Sequence, residues 1–465
     1  MLVNVRRQHP VGQGFFSTGE VRTSGAVFSY VYDCGSFDRH ALEREIASYV
    51  SANKAERIDA LFVSHLDWDH VSGLDVLLGM VRADTVFLPY LNATKSLFLA
   101  AAAVAEGDPS ADYIHLVSNP PDWLGSRGTG RVAFLRPDDS PLQIGQAAVS
   151  LQAEAHITIE IPPVNDPESL PMVLDPHNRV VTVESSLGMP VEVYDVSHST
   201  PLRLRNERQE VLNWMFAWFA HPHTELEEAF REIVEAAFPN RPEFDLANLK
   251  PWNEWLLSVL QRRAQRKRLA ACYKSAFRNR NLTSLVLYSG PIKMSPEFQT
   301  IVEIGGAKDL LGRELEERPQ TQQRFVMRRT SEVYGVHGGL GLPAAWLGTG
   351  DSDFRNGPRR DAFQSHYAAL LDFVLTLAVP HHGSSSSFHE RLLGEGLAVC
   401  VASAGRGGRY GHPHSDVIDK VATRGKVFLT VTEDPRSAYH ECVGIGQAGD
   451  TDLANRFWRV LGLLE

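Results

Sequence analysis

Residues 61–73 have the sequence LFVSHLDWDHVSG, in which an apolar, strand-like run leads into two histidines and two aspartates. His65, Asp67, Asp69 and His70 fall within six positions. Buried ionisable side chains are costly unless they are paired or bound to a metal ion. The crowding therefore predicts that a cation lies among these four side chains. The alternative is a surface loop that happens to be rich in His and Asp, which the preceding apolar strand disfavours.

Two further strand-like segments end in residues of the same kinds. AAWLGTGD ends at Asp351, and its glycines allow the backbone to turn sharply toward a site. LAVPHHGSSSS places His381 beside His382. Neighbouring histidines usually point apart, so we expect one to bind metal while the other faces substrate as a proton donor or phosphate contact. Taken singly, Asp351 could be only a turn residue, and His381 and His382 only a solvated pair. Together with the strand before His65, however, three strand ends carry His or Asp, which predicts one shared site.

The chain resembles the metallo-β-lactamase-fold hydrolases, and specifically the nuclease domain of the ComEC DNA-uptake protein and its free-standing relatives. The motifs that carry the resemblance occur in the family's order: VGQGFF, YVYDCGS with Asp33 after a strand, SHLDWDHVSGL, NLTSLVLYSG, WLGTGD, AVPHHGSSSS and RYGHPHSDVI. The resemblance implies an α/β fold, a four-layered αββα sandwich, with two metal ions at one edge of the sheets. One departure is Phe15, since relatives commonly carry an Asp at this position after VGQG.

The resemblance also implies roles for the residues of these motifs. His65 and Asp67 belong to one metal ion, Asp69 and His70 to the other, and Asp351 bridges the two. One of the adjacent histidines completes the second site, for which we favour His382. Asp69 also orients the nucleophile, and His381 then acts in catalysis.

Two further histidines are candidates for the site. RYGHPH places His412 near the same rim as a phosphate contact, with a turn set by Pro413 as the alternative. The wider fold often supplies another histidine between the first motif and the bridging Asp. We nominate His198, for which the alternative is a satisfied loop histidine.

The ligand types constrain the metal and the chemistry. Drug-hydrolysing lactamases typically show His-x-His-x-Asp-His, whereas this chain has Asp67 in the middle, which makes the site richer in oxygen. Harder ions such as Mn²⁺ then compete with Zn²⁺. Two such ions suit phosphodiester hydrolysis, because together they activate water and neutralise charge on a phosphoryl oxygen. The sequence thus predicts a metal-dependent nuclease. The alternatives are a phosphodiesterase or phosphoesterase for a small molecule such as a cyclic nucleotide, and a non-catalytic subunit of a larger complex.

The alternation of strand-like and helix-like segments divides the chain into three parts. Residues 1–91 and 281–465 alternate as an α/β core does, and they carry the motifs. Residues 92–280 have mixed and then helical patterns, which predict a large, mainly helical insertion. Within it, Leu212, Met215, Phe216 and Phe219 follow the spacing of one helix face. Further helices are expected in TELEEAFREIVEAAF and from PWNEWLLSVLQRR onward.

A basic run in the insertion suggests a partner. Residues 262–280 hold no acidic residue, and Tyr273 and Phe277 are placed to stack on bases. The basic residues of this run are Arg262, Arg263, Arg266, Lys267, Arg268, Lys274, Arg278 and Arg280. We expect a nucleic-acid substrate, DNA rather than RNA, although charge runs are often only solvated helix faces. The net charge of −10 does not exclude this, since binding needs only a local positive surface. The insertion could also bind a protein partner.

The remaining features concern compartment. The start, MLVNVRRQHPVGQGFF, lacks the pattern of a secretory signal, and no window holds the roughly 18 apolar residues of a spanning helix. We therefore expect a cytoplasmic protein that does not associate with membranes. The four cysteines are scattered without a C-x-x-C pair, so we expect them to be packing residues.

Overall fold

The computed structural model describes most of the chain, and the statements below concern that part. The described residues are 1–53, 57–91, 93–106, 110–137, 140–145, 148–161, 180–221, 224–243, 250–276, 284–305, 343–407 and 410–461.

Within these residues a first sheet has ten strands. They are β1 Leu2–Gln8, β2 Gly14–Arg22, β3 Val27–Ser36, β4 Arg57–Phe62, β5 Arg82–Pro89, β6 Arg131–Arg136, β8 Val180–Glu184, β9 Pro190–Ser197, β13 Phe298–Gly305 and β18 Tyr439–Gln447. Their order across the sheet is β13-β18-β1-β2-β3-β4-β5-β6-β9-β8. The run from β3 through β4, β5 and β6 to β9 is parallel, and the other neighbours are antiparallel.

A second sheet has eight described strands. They are β7 Ile157–Glu160, β10 Leu202–Asn206, β11 Val211–Phe219, β12 Val286–Gly290, β14 Ala345–Gly348, β15 Val374–Ala378, β16 Val399–Ser403 and β17 Val427–Val431. Their order is β17-β16-β15-β14-β12-β11-β10-β7. The strands β14 to β17 run parallel, so their carboxyl ends meet at one edge of the sheet.

Helices cover the outer faces of both sheets. The described α-helices are α1 Arg39–Asn53, α2 Trp68–Val71, α3 Leu74–Met80, α4 Ala93–Glu106, α5 Ala111–Ser118, α6 Pro120–Gly125, α7 Thr224–Ala237, α8 Lys250–Gln261, α9 Arg263–Ala276, α10 Gly357–His366, α11 Ser415–Thr423 and α12 Leu453–Val460. Short 3₁₀ helices lie at Leu371–Phe373, Pro380–Gly383, Glu390–Leu392 and Pro435–Ser437.

Aromatic side chains join the two sheets face to face. The Phe62 ring of β4 lies 4.9 Å from the Phe216 ring of β11, and the Tyr32 ring of β3 lies 5.2 Å from the Trp346 ring of β14. Apolar residues of α1 and α3 to α9 bury the other face of the first sheet, and those of α10 and α11 bury that of the second. The described residues therefore make four layers, with two sheets between two layers of helices.

The prediction of a helix face at Leu212, Met215, Phe216 and Phe219 is wrong. These residues belong to the strand β11, whose nine residues are all buried between β10 and β12. A strand buried on both faces carries a continuous apolar run without alternation, and such a run also satisfies helical spacing. The helices expected downstream are confirmed as α7, α8 and α9.

The mainly helical character of the insertion is not confirmed. Residues 92–280 do contain α4 to α9, but they also supply three strands to each sheet: β6, β8 and β9 to the first, and β7, β10 and β11 to the second. Much of this range is therefore part of the sandwich itself. The domain limits at residues 91 and 281 stay a prediction.

The described residues bear out the expected role of the cysteines. Cys34, Cys272, Cys400 and Cys442 are buried and form no disulfide, which confirms that they are packing residues. Among the described helices, none combines the length and apolar character needed to cross a membrane.

A buried ion pair fastens the two sheets together. Arg6 of β1 pairs with Glu441 of β18 in the first sheet, and both side chains are almost fully buried. The guanidinium also donates to the carbonyls of Ser289 and Ala344 in or next to the second sheet, each at 3.1 Å. Glu441 in turn accepts a hydrogen bond from Thr376 of β15. The pair thus makes hydrogen bonds with both sheets, although Nε of Arg6 has no partner among the described residues.

We predict that Arg6→Met lowers the free energy of unfolding by about 3–5 kcal/mol, because Glu441 becomes an unpaired buried charge. The double variant Arg6→Met/Glu441→Leu should recover much of this loss. Urea denaturation measures both. The exposed pair Arg39–Glu43 is the control, for which Arg39→Met should cost less than about 1 kcal/mol. Equal losses in Arg6→Met and Arg39→Met would contradict the account.

Candidate metal centre

The carboxyl ends of four strands meet where the two sheets adjoin. In the first sheet, β3 and β4 are parallel neighbours, and His65 follows β4. In the second sheet, β14 and β15 are parallel neighbours, followed by Asp351 and His382 respectively. Ligand sites of α/β folds commonly form at the carboxyl ends of such strands. The topology therefore places residues that are distant in sequence at one edge.

Five of the predicted metal ligands form two adjoining clusters at this edge. In one cluster, the ligand atoms of His65, His70 and Asp351 all lie within 4.8 Å of one another. In the other, the same holds for Asp69, His70 and His382. The clusters share His70. The resemblance instead pairs His65 with Asp67 and assigns His70 to one ion alone.

The atoms that face the clusters fit a cation. Nε2 of His65, Nε2 of His70 and Oδ1 of Asp351 are buried and have no hydrogen-bond partner among the described residues. A buried polar atom without a partner loses the full free energy of its hydration, which a folded protein rarely tolerates. Imidazole nitrogens and carboxylate oxygens are the ligands that Zn²⁺ and Mn²⁺ take. The donor set therefore suits divalent ions.

Two serines hold the far side of the His65 ring. Nδ1 of His65 lies 2.8 Å from the Ser64 hydroxyl and 3.1 Å from the Ser284 hydroxyl. The Ser284 hydroxyl also accepts the backbone N–H of Asp351 at 2.8 Å, so it ties the two ligands together. Burial lowers the pKa of His65 to about 3. The ring is thus neutral, as metal binding requires.

A carboxylate holds the His70 ring in the same way. Oδ2 of Asp33 lies 2.8 Å from Nδ1 of His70, and the backbone N–H and hydroxyl of Ser64 both donate to Asp33 at 2.6 Å. Burial opposes a charge on His70, yet the Asp33 and Asp351 carboxylates outweigh it and raise the pKa of His70 well above its usual range. In the absence of metal the raised pKa favours a proton on Nε2 as well, which lies 3.4 Å from Oδ1 of Asp351. A metal ion would replace that proton, while Asp33 keeps the proton on Nδ1.

Glycine permits the close approach that brings Asp351 to the site. Gly350 has φ of +48°, and a Cβ at this position would lie 2.3 Å from the Ser284 hydroxyl oxygen. Any other residue would be strained here and would displace the serine. The sharp turn expected from the GTGD motif is confirmed.

The two carboxyl groups of the clusters are held ionised. Burial raises the pKa of Asp351, but His381, His65 and His70 outweigh it and bring the pKa well below its ordinary value. Burial acts likewise on Asp69, where the hydrogen bond from His382 outweighs it and lowers the pKa. Nε2 of His382 lies 3.2 Å from Oδ2 of Asp69. The centre therefore presents two negative charges at neutral pH.

The two adjacent histidines take different positions. Nδ1 of His382 lies 2.8 Å from the Ser403 carbonyl oxygen, to which it donates, and its side chain is 2% exposed. The His381 side chain is 27% exposed, with Nε2 3.6 Å from Oδ2 of Asp351 and Nδ1 3.2 Å from the Ser387 hydroxyl. His382 thus lies within a cluster and His381 at its margin. Which of them binds metal stays a prediction.

Three other nominated residues lie outside the two clusters. Asp67 is at the rim, with its side chain 44% exposed and Oδ2 3.8 Å from Nε2 of His65. The His412 ring lies 5.3 Å from the His381 ring and 6.2 Å from the His382 ring. His198 is buried after β9, where its ring packs 4.6 Å from the ring of His366. The roles proposed for these three residues stay predictions.

Sequence reasoning quoted the motifs that contain the supporting residues but assigned these residues no role. Asp33, Ser64 and Ser284 each hold a ligand or its partner. Asp33 carries a signal, because it is a lone charge at the end of the otherwise apolar YVYDC segment, and β3 adjoins β4 in the sheet. Phe15, which replaces the Asp of the family motif, also lies beside the site. Its ring is stacked on the ring of His70 at 6.1 Å, so it makes an apolar contact with this candidate ligand.

The comparison with known families agrees with this geometry. A model of the metallo-beta-lactamase superfamily matches residues 21–80, which include Asp33 and the whole of the His65–His70 motif. The two large sheets with their covering helices are consistent with a fold of that type. No curated protein matches the chain. The match indicates a metal-dependent hydrolase, and the likeness to ComEC-type nucleases stays a prediction.

We predict that Asp33→Asn lowers the affinity for Mn²⁺ or Zn²⁺ about 10–100-fold, because the His70 ring loses the carboxylate that orients it. Isothermal titration calorimetry measures this affinity. Asp59→Asn is a matched control, because Asp59 also accepts hydrogen bonds from the backbone N–H and the hydroxyl of a serine, Ser29. Equal affinities in the two variants would show that Asp33 does not support a metal ligand.

Proposed function

We infer that the protein is a metal-dependent nuclease, which hydrolyses phosphodiester bonds of nucleic acid at a dinuclear metal centre. The observation that carries this proposal is the pair of adjoining clusters of candidate ligands. Two divalent ions a few ångströms apart would lower the pKa of water and neutralise the charge that develops on a phosphoryl oxygen. A single ion would not stabilise both the attacking and the leaving oxygen of the displacement.

The residues of the chain have distinct tasks in this proposal. Five would hold the ions: His65, Asp69, His70, Asp351 and His382. Asp67 at the rim adds a further carboxylate oxygen, which favours Mn²⁺ beside Zn²⁺. His198 stays a nominee for a further ligand.

His381 is the candidate for proton transfer. Burial lowers its pKa and so favours the neutral ring, which must first take up a proton in order to act as a donor. The Ser387 hydroxyl holds Nδ1, and Nε2 remains on the side of Asp351. A group so placed can pass a proton to the leaving oxygen. His412, next to the His381 ring, is the proposed contact for a phosphate oxygen.

The helix α9 supplies a positive surface for a polynucleotide. Arg262, Arg263, Lys267 and Arg268 of the basic run are exposed, and Arg268 lies over the Phe238 ring. Tyr273 is buried, so the expectation that it stacks on bases is wrong, and it packs in the core of the helical layer instead. Phe277, Arg278 and Arg280 lie outside the described residues, as does the side chain of Lys274. We propose DNA as the substrate ahead of RNA.

The helical layer is also linked to the metal loop. The Tyr113 hydroxyl of α5 donates to the Leu66 carbonyl at 2.8 Å, between His65 and Asp67. A polynucleotide or a protein partner bound to this layer would therefore act close to the ligands.

We predict that Asp69→Ala lowers the rate of cleavage by more than about 100-fold. Loss of a residue that only orients a metal ligand already costs up to about 100-fold in activity, and loss of a ligand itself should cost at least as much. The chain should stay folded, since a large core does not depend on metal as a small zinc module does. The assay uses labelled single- and double-stranded DNA and RNA with Mn²⁺, Mg²⁺ or Zn²⁺, with EDTA and Asp75→Ala as controls.

Two outcomes of this assay would count against a nuclease. Equal cleavage by the wild type and Asp69→Ala would mean that a contaminant is responsible. Hydrolysis of a cyclic nucleotide or a chromogenic phosphodiester, but of no polynucleotide, would favour a phosphodiesterase for small molecules.

We predict that replacing Arg266, Lys267 and Arg268 with Ala flattens the salt dependence of nucleic-acid binding by roughly one log unit for each phosphate that these residues neutralise. Binding is measured with Asp69→Asn, so that the nucleic acid stays intact. Lys420→Ala/Arg424→Ala is the control, because these exposed cations lie at the carboxyl end of α11 instead. An unchanged salt slope in the α9 variant would mean that the basic run is only a solvated face.

A further inference from the structure

Exposed aromatic rings gather at the mouth of the metal centre. Among the described residues, eight large hydrophobic side chains are exposed, and three of these are aromatic: Phe37, Trp68 and Tyr410. Their exposed fractions are 53%, 44% and 41%. The other five exposed side chains are aliphatic or Met: Val27, Met80, Leu187, Met189 and Leu257.

Two of the aromatic residues continue a row of rings that starts at a candidate metal ligand. The His382 and His412 rings lie 6.2 Å apart with 20° between their planes. The His412 and Tyr410 rings follow at 5.9 Å and 21°, and the Tyr410 and Phe37 rings at 6.4 Å and 32°. The row therefore leads from the buried ligand to the protein surface with only small changes in ring orientation.

The third aromatic residue lies within the metal loop itself. Trp68 stands between Asp67 and Asp69 and opens the helix α2. Its ring contacts the Tyr113 ring at 6.1 Å, and the Tyr113 hydroxyl holds the same loop at Leu66. The indole is thus anchored on one side while 44% of the residue is open to solvent.

The clustering of these exposed rings indicates that they bind a molecule from solution. Single exposed apolar side chains are normal on a protein surface and need no explanation. Here, however, all three exposed aromatic residues of the described chain flank the one edge where the candidate ligands converge. Leaving them in water costs free energy that burial against a flat apolar group would recover. The ligand should therefore carry planar rings next to the group that reaches the metals.

We propose that Phe37, Tyr410 and Trp68 form a stacking site for unpaired nucleobases beside the scissile phosphate, which makes single-stranded nucleic acid the substrate. This inference rests on the proposed nuclease function. A base is a planar ring joined through its sugar to a phosphodiester, as the arrangement requires. Bases of a duplex are stacked on one another and do not offer their faces, whereas those of a single strand do. Because every base has such a face, the site tolerates any sequence.

The first test measures binding to Asp69→Asn protein. The probes are an oligo(dT), an abasic oligomer of the same length and charge, and a duplex. Stacking is sequence-tolerant and large for each base, so we expect oligo(dT) to bind at least about tenfold more tightly than the abasic oligomer. Tyr410→Leu should reduce this preference, Tyr410→Phe should keep it, and Leu187→Ala should have no effect. The Trp68 contribution to fluorescence, obtained by difference from Trp68→Phe, should be quenched by oligo(dT) alone.

The second test measures cleavage by protein with Asp69 intact. Tyr410→Leu and Phe37→Leu should raise KM for single-stranded DNA about tenfold with little change in kcat, because stacking stabilises the bound ground state and the transition state equally. A structural role would instead lower kcat for every substrate. Phe37→Tyr should behave as the wild type.

The outcomes separate this inference from the nuclease proposal. Equal binding of oligo(dT) and the abasic oligomer, or tighter binding of the duplex, would overturn the stacking site. Cleavage that does not depend on these rings would overturn it while leaving the nuclease intact. A preference for oligo(dT) without cleavage of any phosphodiester would support the stacking site and reject the nuclease. Absence of nucleic-acid binding would reject both.

Discussion

The rest of the site depends on one constraint, which is that His65, His70 and Asp351 bury ligand atoms without partners where the two sheets meet. Nδ1 of His65 is already held by Ser64 and Ser284, Nδ1 of His70 by Asp33, and the backbone N–H of Asp351 by Ser284. Rotation to find a partner would break those hydrogen bonds, so the open atoms can be satisfied only from within the clusters. A divalent cation meets that need, and the ionised Asp69 and Asp351 supply the opposing charge.

The sequence predicts the candidate ligands because each lies in a short local motif. His65 to His70 occupy one turn after a strand, and His382 follows another strand in the same way. The supporting contacts are different in kind, since Ser284 and His65 are 219 positions apart and their contact exists only in the folded chain. β11 was mistaken for a helix because burial on both faces removes the alternation that marks a strand. The contact of the His198 ring with the His366 ring likewise joins residues that are far apart in sequence.

The surface around the centre was the least predictable part. Tyr273 looked like a stacking residue from its basic neighbours, yet it is buried, because it lies on the face of α9 that packs into the helical layer. Phe37 and Tyr410 gave no signal in sequence, since they are far apart in the chain and meet only when β3 and the loop before α11 come together. Exposed aromatic rings indicate a binding site only when the structure shows that they lie together.

The central claim is that the two adjoining clusters would hold two divalent ions, and the number of ions bound per chain tests it most directly. Metal analysis of protein saturated with Mn²⁺ or Zn²⁺ and passed through a desalting column should give two ions for the wild type. His70→Ala should lose at least one ion, because the centre loses the ligand atom Nε2 of His70, whereas His115→Ala, which alters a partly exposed histidine on α5 that pairs with Asp122, should retain both. One ion or none in the wild type, or two in His70→Ala, would contradict the account.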